Sequence, residues 1–156
     1  MGQTRLDDSR WPLAVFTAVG EQSPADFEAY LADSDTLLRR REVYGVIFDA
    51  RRAAPIGPKL RKRQAEWLAR NVALLRVYRA GTGMVLGSAL QRGIFRAIMW
   101  VQPLPTPYSV ESTLDGARRF VCARLLERGC TPLPLPSSQP LTPPAVARRA
   151  RSVHPR

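Results

Sequence analysis

Val43-Tyr44-Gly45-Val46-Ile47-Phe48-Asp49 (VYGVIFD) is the stretch that decides the fold. Up to its closing aspartate it is almost continuously apolar, as a strand covered on both faces must be. Such a strand belongs to a parallel or mixed sheet with helices packed on it. Helix signals stand on either side. Upstream, Ser23-Pro24-Ala25-Asp26 offers an N-cap, a proline at the first helical position and an acid in the first turn. Phe27, Tyr30, Leu31, Leu37 and Leu38 then recur at near-helical spacing and predict an amphipathic helix over 24–40. Arg39, Arg40 and Arg41 fall at its end, where cations suit the helix dipole. Downstream, Pro55, Gly57 and Pro58 punctuate a loop over 50–58, and the longest helix follows over 59–78. Leu60, Leu68, Val72 and Leu75 line one side of that helix, flanked by Trp67 and Leu74. Lys59, Lys62, Arg63, Glu66 and Arg70 line the other.

The same pattern extends outward. Trp11–Val19 (WPLAVFTAV) reads as a strand ending at Gly20. Gly83–Gly87 (GMVLG) reads as another, and Ser88 caps a helix over 89–101 with Leu90, Ile94, Ala97, Ile98 and Val101 inward. Phe95, Met99 and Trp100 make that helix apolar on more than one side, which suits a homodimer surface or a deeply buried position. Pro103, Pro105 and Pro107 end it, and Tyr108–Val110 is an edge strand. A last helix starts near Ser112 or Thr113, buries Ala117, Phe120, Val121 and Leu125, and stops at Gly129. The expected architecture is one α/β domain over 10–130, with a small four- to five-stranded mixed sheet covered by helices. Residues 131–156 hold seven of the fourteen prolines and four arginines with no acid, so a disordered, polyproline-like tail is expected. Its run Pro132–Pro136 suits a linker or an aromatic groove.

Charge is the other strong signal, at a net +11. Residues 1–38 carry seven acids against two arginines, whereas 39–79 carry twelve Lys or Arg against Glu42, Asp49 and Glu66. The opening MGQTRLDDSR is polar, and no apolar run approaches the ~20 residues of a membrane span. Cys122 and Cys130 read as free thiols. Together these features predict a cytoplasmic protein without a membrane span.

The succession of edge strand, helix from Pro24, VYGVIFD, basic helix, GMVLG and a late helix near Leu114-Asp115-Gly116-Ala117 resembles the SpoIIAA-like branch of STAS domains. The resemblance spans 10–130 and implies a bacterial regulatory module that binds protein. Anti-sigma-factor antagonists of that family carry a phosphorylatable Ser or Thr just after the Asp-ending strand. Ala50–Ala80 contains neither, so the resemblance implies an interaction module without the phosphoswitch. SpoIIAA-like proteins also resemble CRAL-TRIO lipid-transfer domains, but this chain is too short to enclose a lipid in the same way.

Catalytic apparatus is not expected. The single histidine, His154, stands in the tail, no zinc spacing occurs, and there is no Walker A or G-x-G-x-x-G sequence. Asp49 at a strand end is expected to accept loop amides or to pair with Arg51 or Arg52. The Gly87-Ser88 turn is expected to be an ordinary cap. No cofactor or metal is called for. The candidate binding residues are Arg51, Arg52, Lys59, Arg61, Lys62, Arg63 and Arg70, with only Glu66 to offset them. Cations crowding a helix N-terminus cost about 0.3–1 kcal/mol, which points to an anionic partner. The expected function is a non-enzymatic module docking an acidic protein. The alternative is nucleic-acid or acidic-membrane binding through the same face and Arg148, Arg149, Arg151 and Arg156. Trp67, one turn beyond Arg63, suits the core better than a cation–π stack.

Overall fold

The structure is a computed structural model, and it describes residues 2–132. The elements run β1 (Gln3–Arg10), β2 (Leu13–Gly20), α1 (Pro24–Arg39), β3 (Tyr44–Ala53), α2 (Pro58–Tyr78), β4 (Arg79–Val85), α3 (Ala89–Val101), β5 (Tyr108–Glu111) and α4 (Leu114–Glu127). The five strands form one sheet in the order β1-β2-β3-β4-β5. β1 is antiparallel to β2, and every other pair is parallel. The mixed α/β sheet expected from VYGVIFD is therefore present, with five strands and four helices.

Three of the four helices begin at a side-chain cap. Ser23 accepts from the Asp26 amide at 3.1 Å while Asp26 reaches back to the Ser23 amide at 3.1 Å, a full capping box. Ser88 and Thr113 cap α3 and α4 through the amides of Gln91 and Gly116. Gly129 ends the last helix region with a φ of 76°, which favours glycine.

Two clusters fill the space on either side of the sheet. α1 and α2 cover one face through Phe16, Phe27, Leu31, Leu37, Tyr44, Val46, Trp67 and Leu75. α4 covers the other through Leu13, Ile47, Val85, Ala117, Val121 and Leu125. On that side the helix lies almost on the backbone. A Cβ at Gly45 would sit 2.2 Å from Val121 Cγ1, and one at Gly83 would sit 2.8 Å from the Ala117 Cβ.

Three boundaries and the burial of one helix depart from expectation. β1 precedes the expected domain start at 10, because its pairing with β2 is a backbone ladder that needs no apolar alternation, and only Leu6 is apolar. The loop expected over 50–58 begins later, since β3 runs on to Ala53 with Arg52 and Ala53 paired to Val19 and Gly20. β4 starts at Arg79 instead of Gly83. Its Gly81 and Gly83 carry little strand propensity, but they are the residues that let α4 approach. α3 occupies the expected span, yet none of its residues is buried. Leu90 and Val101, expected inward, are 73% and 88% exposed. Periodicity defines a stripe but not the surface that covers it, and on this helix the apolar arc is wider than the covered one. The expected tail over 131–156 lies almost wholly outside the described residues.

Candidate functional site

The structure divides the seven candidate cations. Arg51 is taken by Asp49, with Nε and Nη2 donating to the two carboxylate oxygens at 2.9 and 2.8 Å. Arg63 is taken by Glu28 of α1 in the same two-pronged manner, at 2.6 and 3.0 Å. Arg52, Lys59, Arg61, Lys62 and Arg70 are exposed and form no salt bridge among the described residues. Lys59, Lys62 and Arg70 follow the outer side of α2 with Glu66, while Arg61 stands at the rim of a cavity. The first turn of α2 has no acid and no side-chain cap. The positive end of its dipole thus meets unpaired cations.

Asp49 is the expected structural aspartate. It also accepts from the Arg51 amide at 3.2 Å. The Arg51 hydrogen bond outweighs the opposing effect of burial and holds its carboxyl below the ordinary value near 3.8. A lowered folded value means that Asp49 contributes stability above the ordinary value and loses it as pH falls through the lowered one. Melting temperature between about pH 5 and pH 2 should therefore fall faster in the wild type than in Asp49→Asn, with the gap closing at the acidic end. Equal acid slopes would show that the pair adds nothing.

Other expected features settle simply. Trp67 is 2% exposed and its Nε1 donates to Asp35 at 2.8 Å, so it is core. The cation nearest its ring is Arg79, at 5.8 Å, and not Arg63. At the Gly87-Ser88 turn, the Gly87 amide donates to Gln91 Oε1 at 2.8 Å and the Gln91 amide to Ser88 Oγ at 3.1 Å. This is the ordinary capped turn. Cys122 and Cys130 are free, and burial pushes the Cys122 thiol up, away from the reactive thiolate.

Sequence reading missed a cavity of about 270 Å³ between α3 and the face of the sheet that carries α1 and α2. Phe48, Met84, Leu68 and Phe95 are among its apolar walls, with Ile94, Ile98 and Met99 of α3 forming the cover. Arg79 and Thr82 of β4 also face it. The covering side of α3 is the arc between Ile94 and Met99; Leu90, Trp100 and Val101 point away. A signal existed: Arg79 is a lone cation entering an otherwise small and apolar strand. The glycines around it masked that strand.

No protein-family model and no curated protein matches the chain. Among solved structures, one similar fold is the crystal structure of an uncharacterised protein from the DUF3478 family with a SpoIIAA-like fold, from Shewanella loihica PV-4. The TM-score is 0.60 at 13% identity, over 78% of this chain and 94% of that one. An anti-sigma factor antagonist from Mycobacterium paratuberculosis has a TM-score of 0.49 at 14% identity, over 78% and 94% of the two chains. The fold is SpoIIAA-like, as the order of elements around VYGVIFD implied. Among the described residues no helix is long and apolar enough to cross a membrane.

Proposed function

We propose that this SpoIIAA-like domain is a non-enzymatic interaction module of the cytoplasm that docks an acidic protein on Arg52, Lys59, Arg61, Lys62 and Arg70. One observation carries the reading: these five cations are exposed and form no salt bridge among the described residues, while Arg51 and Arg63 of the same region are paired with carboxylates of the fold. Unpaired charge at an uncapped helix N-terminus is mildly destabilising alone and favourable against an anion. Lack of Ser and Thr over Ala50–Ala80 makes the docking independent of phosphorylation there.

The test is affinity capture from native extract, with and without nuclease, using the wild type and the Arg61→Glu, Lys62→Glu, Arg70→Glu triple variant. Arg63 is left in place because its loss would strand Glu28. The expected result is nuclease-resistant capture of acidic proteins that disappears in the variant, with the circular-dichroism spectrum unchanged. Capture that survives charge reversal, or that vanishes with nuclease, overturns the reading.

A second reading, seating on an anionic membrane, is favoured by the outer side of α3. Trp100 is 90% exposed, Val101 88% and Leu90 73%, with Arg96 exposed beside them, the composition of an interfacial helix. Co-sedimentation with anionic but not neutral vesicles, lost in Trp100→Ser, supports this second reading; absence of co-sedimentation removes it.

A further inference from the structure

Arg79 opens β4 and is only 7% exposed. Its Nε and Nη2 both donate to the Tyr44 hydroxyl, at 3.3 and 3.2 Å. Its guanidinium carbon lies 5.5 Å from the centre of the Tyr44 ring and 5.8 Å from that of Trp67. Among the described residues no carboxylate forms a salt bridge with it. An arginine keeps its charge, and a buried charge without a counter-ion is costly to the fold. A tyrosine oxygen and two ring faces compensate it only in part.

A second polar group on the same strand is also unsatisfied. Thr82 is 5% exposed, and its Oγ1 is buried without a hydrogen-bond partner. Arg79 and Thr82 both face the α3 cavity, whose other walls are mostly apolar, with Arg61 at the rim and Gln64, its Oε1 also buried without a partner, among the polar exceptions. A buried guanidinium and an orphaned hydroxyl on one wall of an apolar cavity are the complement of a carboxylate carried on an apolar body. The guanidinium fork matches the two oxygens, and Thr82 supplies a further donor. Size narrows the class. The cavity's 270 Å³ is nearly twice the ~150 Å³ that admits a benzene ring, room for a short apolar tail. The cavity is partly open to solvent beside α3, none of whose own residues is buried.

We infer that the cavity under α3 binds a small monocarboxylate with a short apolar tail, its carboxylate on Arg79 and Thr82 and its tail against Phe48, Met84 and Ile98. Arg61 of the docking face also reaches the rim of this cavity, but the carboxylate is assigned to Arg79 and Thr82, and neither reading requires the other.

Calorimetric titration of the full chain with octanoate, 1-octanol and octylammonium tests it, since the three share a tail and differ in head group. Octanoate should bind at least about tenfold tighter than octanol, the worth of one charge-assisted hydrogen bond. Octylammonium should not bind. Arg79→Met should bring octanoate to within about twofold of octanol, because the charged donor is gone and the apolar walls remain. Thr82→Val, which keeps the shape, should weaken octanoate about threefold and leave octanol unchanged. Should Arg79→Met fail to fold, the Thr82→Val comparison and the wild-type head-group order decide. Octanoate binding no tighter than octanol, no binding by either, or an octanoate preference that persists in Arg79→Met overturns the assignment.

Discussion

Replacing Trp67 with alanine is expected to remove about 4 kcal/mol of stability, the usual cost of emptying a buried aromatic site. Trp67 belongs to the cluster that joins α1, α2 and the sheet, and it is fully enclosed there. Three losses coincide. The cavity left behind cannot collapse easily, because the surrounding Phe16, Leu31, Tyr44 and Leu75 sit on separate elements. Asp35 loses the indole donor it accepts at 2.8 Å. Arg79 loses one of its two ring faces. Against a typical total of about 5–15 kcal/mol, a loss of this size leaves the domain marginal. Urea unfolding followed by circular dichroism measures it, and Trp67→Phe is the control. Phenylalanine keeps most of the packing and gives up the hydrogen bond, so its cost should stay near 1–2 kcal/mol, roughly that of one hydrogen bond and a small void. An alanine variant that loses less than about 1 kcal/mol would place Trp67 outside the core that the contacts describe.

The second large effect concerns the opposite face. Gly45→Ala is expected to cost about 2–3 kcal/mol, near the upper end for overpacking a core. The added methyl would sit 2.2 Å from Val121 Cγ1 and 3.4 Å from Leu125 Cδ1. Val121 is β-branched and fully buried, so its side chain has little rotameric freedom to yield. α4 must then lift from the sheet, weakening its contacts with β3 and β4. The discriminating measurement is a double-mutant cycle with Val121→Ala. Alone, Val121→Ala opens a small void and destabilises; combined with Gly45→Ala, it should restore stability, because the new methyl fills the space the valine vacates. Losses that simply add would show that close approach is not what requires glycine at this position.

The two sites stand differently in the sequence. Charge is written directly in the residue types, so the cations of 51–70 were legible as a group. Which of them stay unpaired was not, because Glu28 meets Arg63 only when α1 and α2 lie side by side on the sheet. The cavity was less visible still. Its walls come from β1, β2, β3, β4, α1, α2 and α3, and α3 reads as an ordinary core helix when judged by its apolar stripe alone.

Local chemistry determined most of the architecture. VYGVIFD, the capping box at Ser23, the proline at the start of α2, the Ser88 and Thr113 caps and the glycine after α4 each act within a few residues, so the chain spells them out. Tertiary structure alone decided the rest: that the polar Gln3–Arg10 becomes an edge strand, that a strand runs through Arg79–Val85 despite its glycines, and that α3 stands over a cavity with an unpaired arginine beneath it. The physical reason is common to all three. Backbone ladders, close helix approach and the burial of a charge are fixed by partners distant in sequence, and a residue's type does not reveal what will be placed against it.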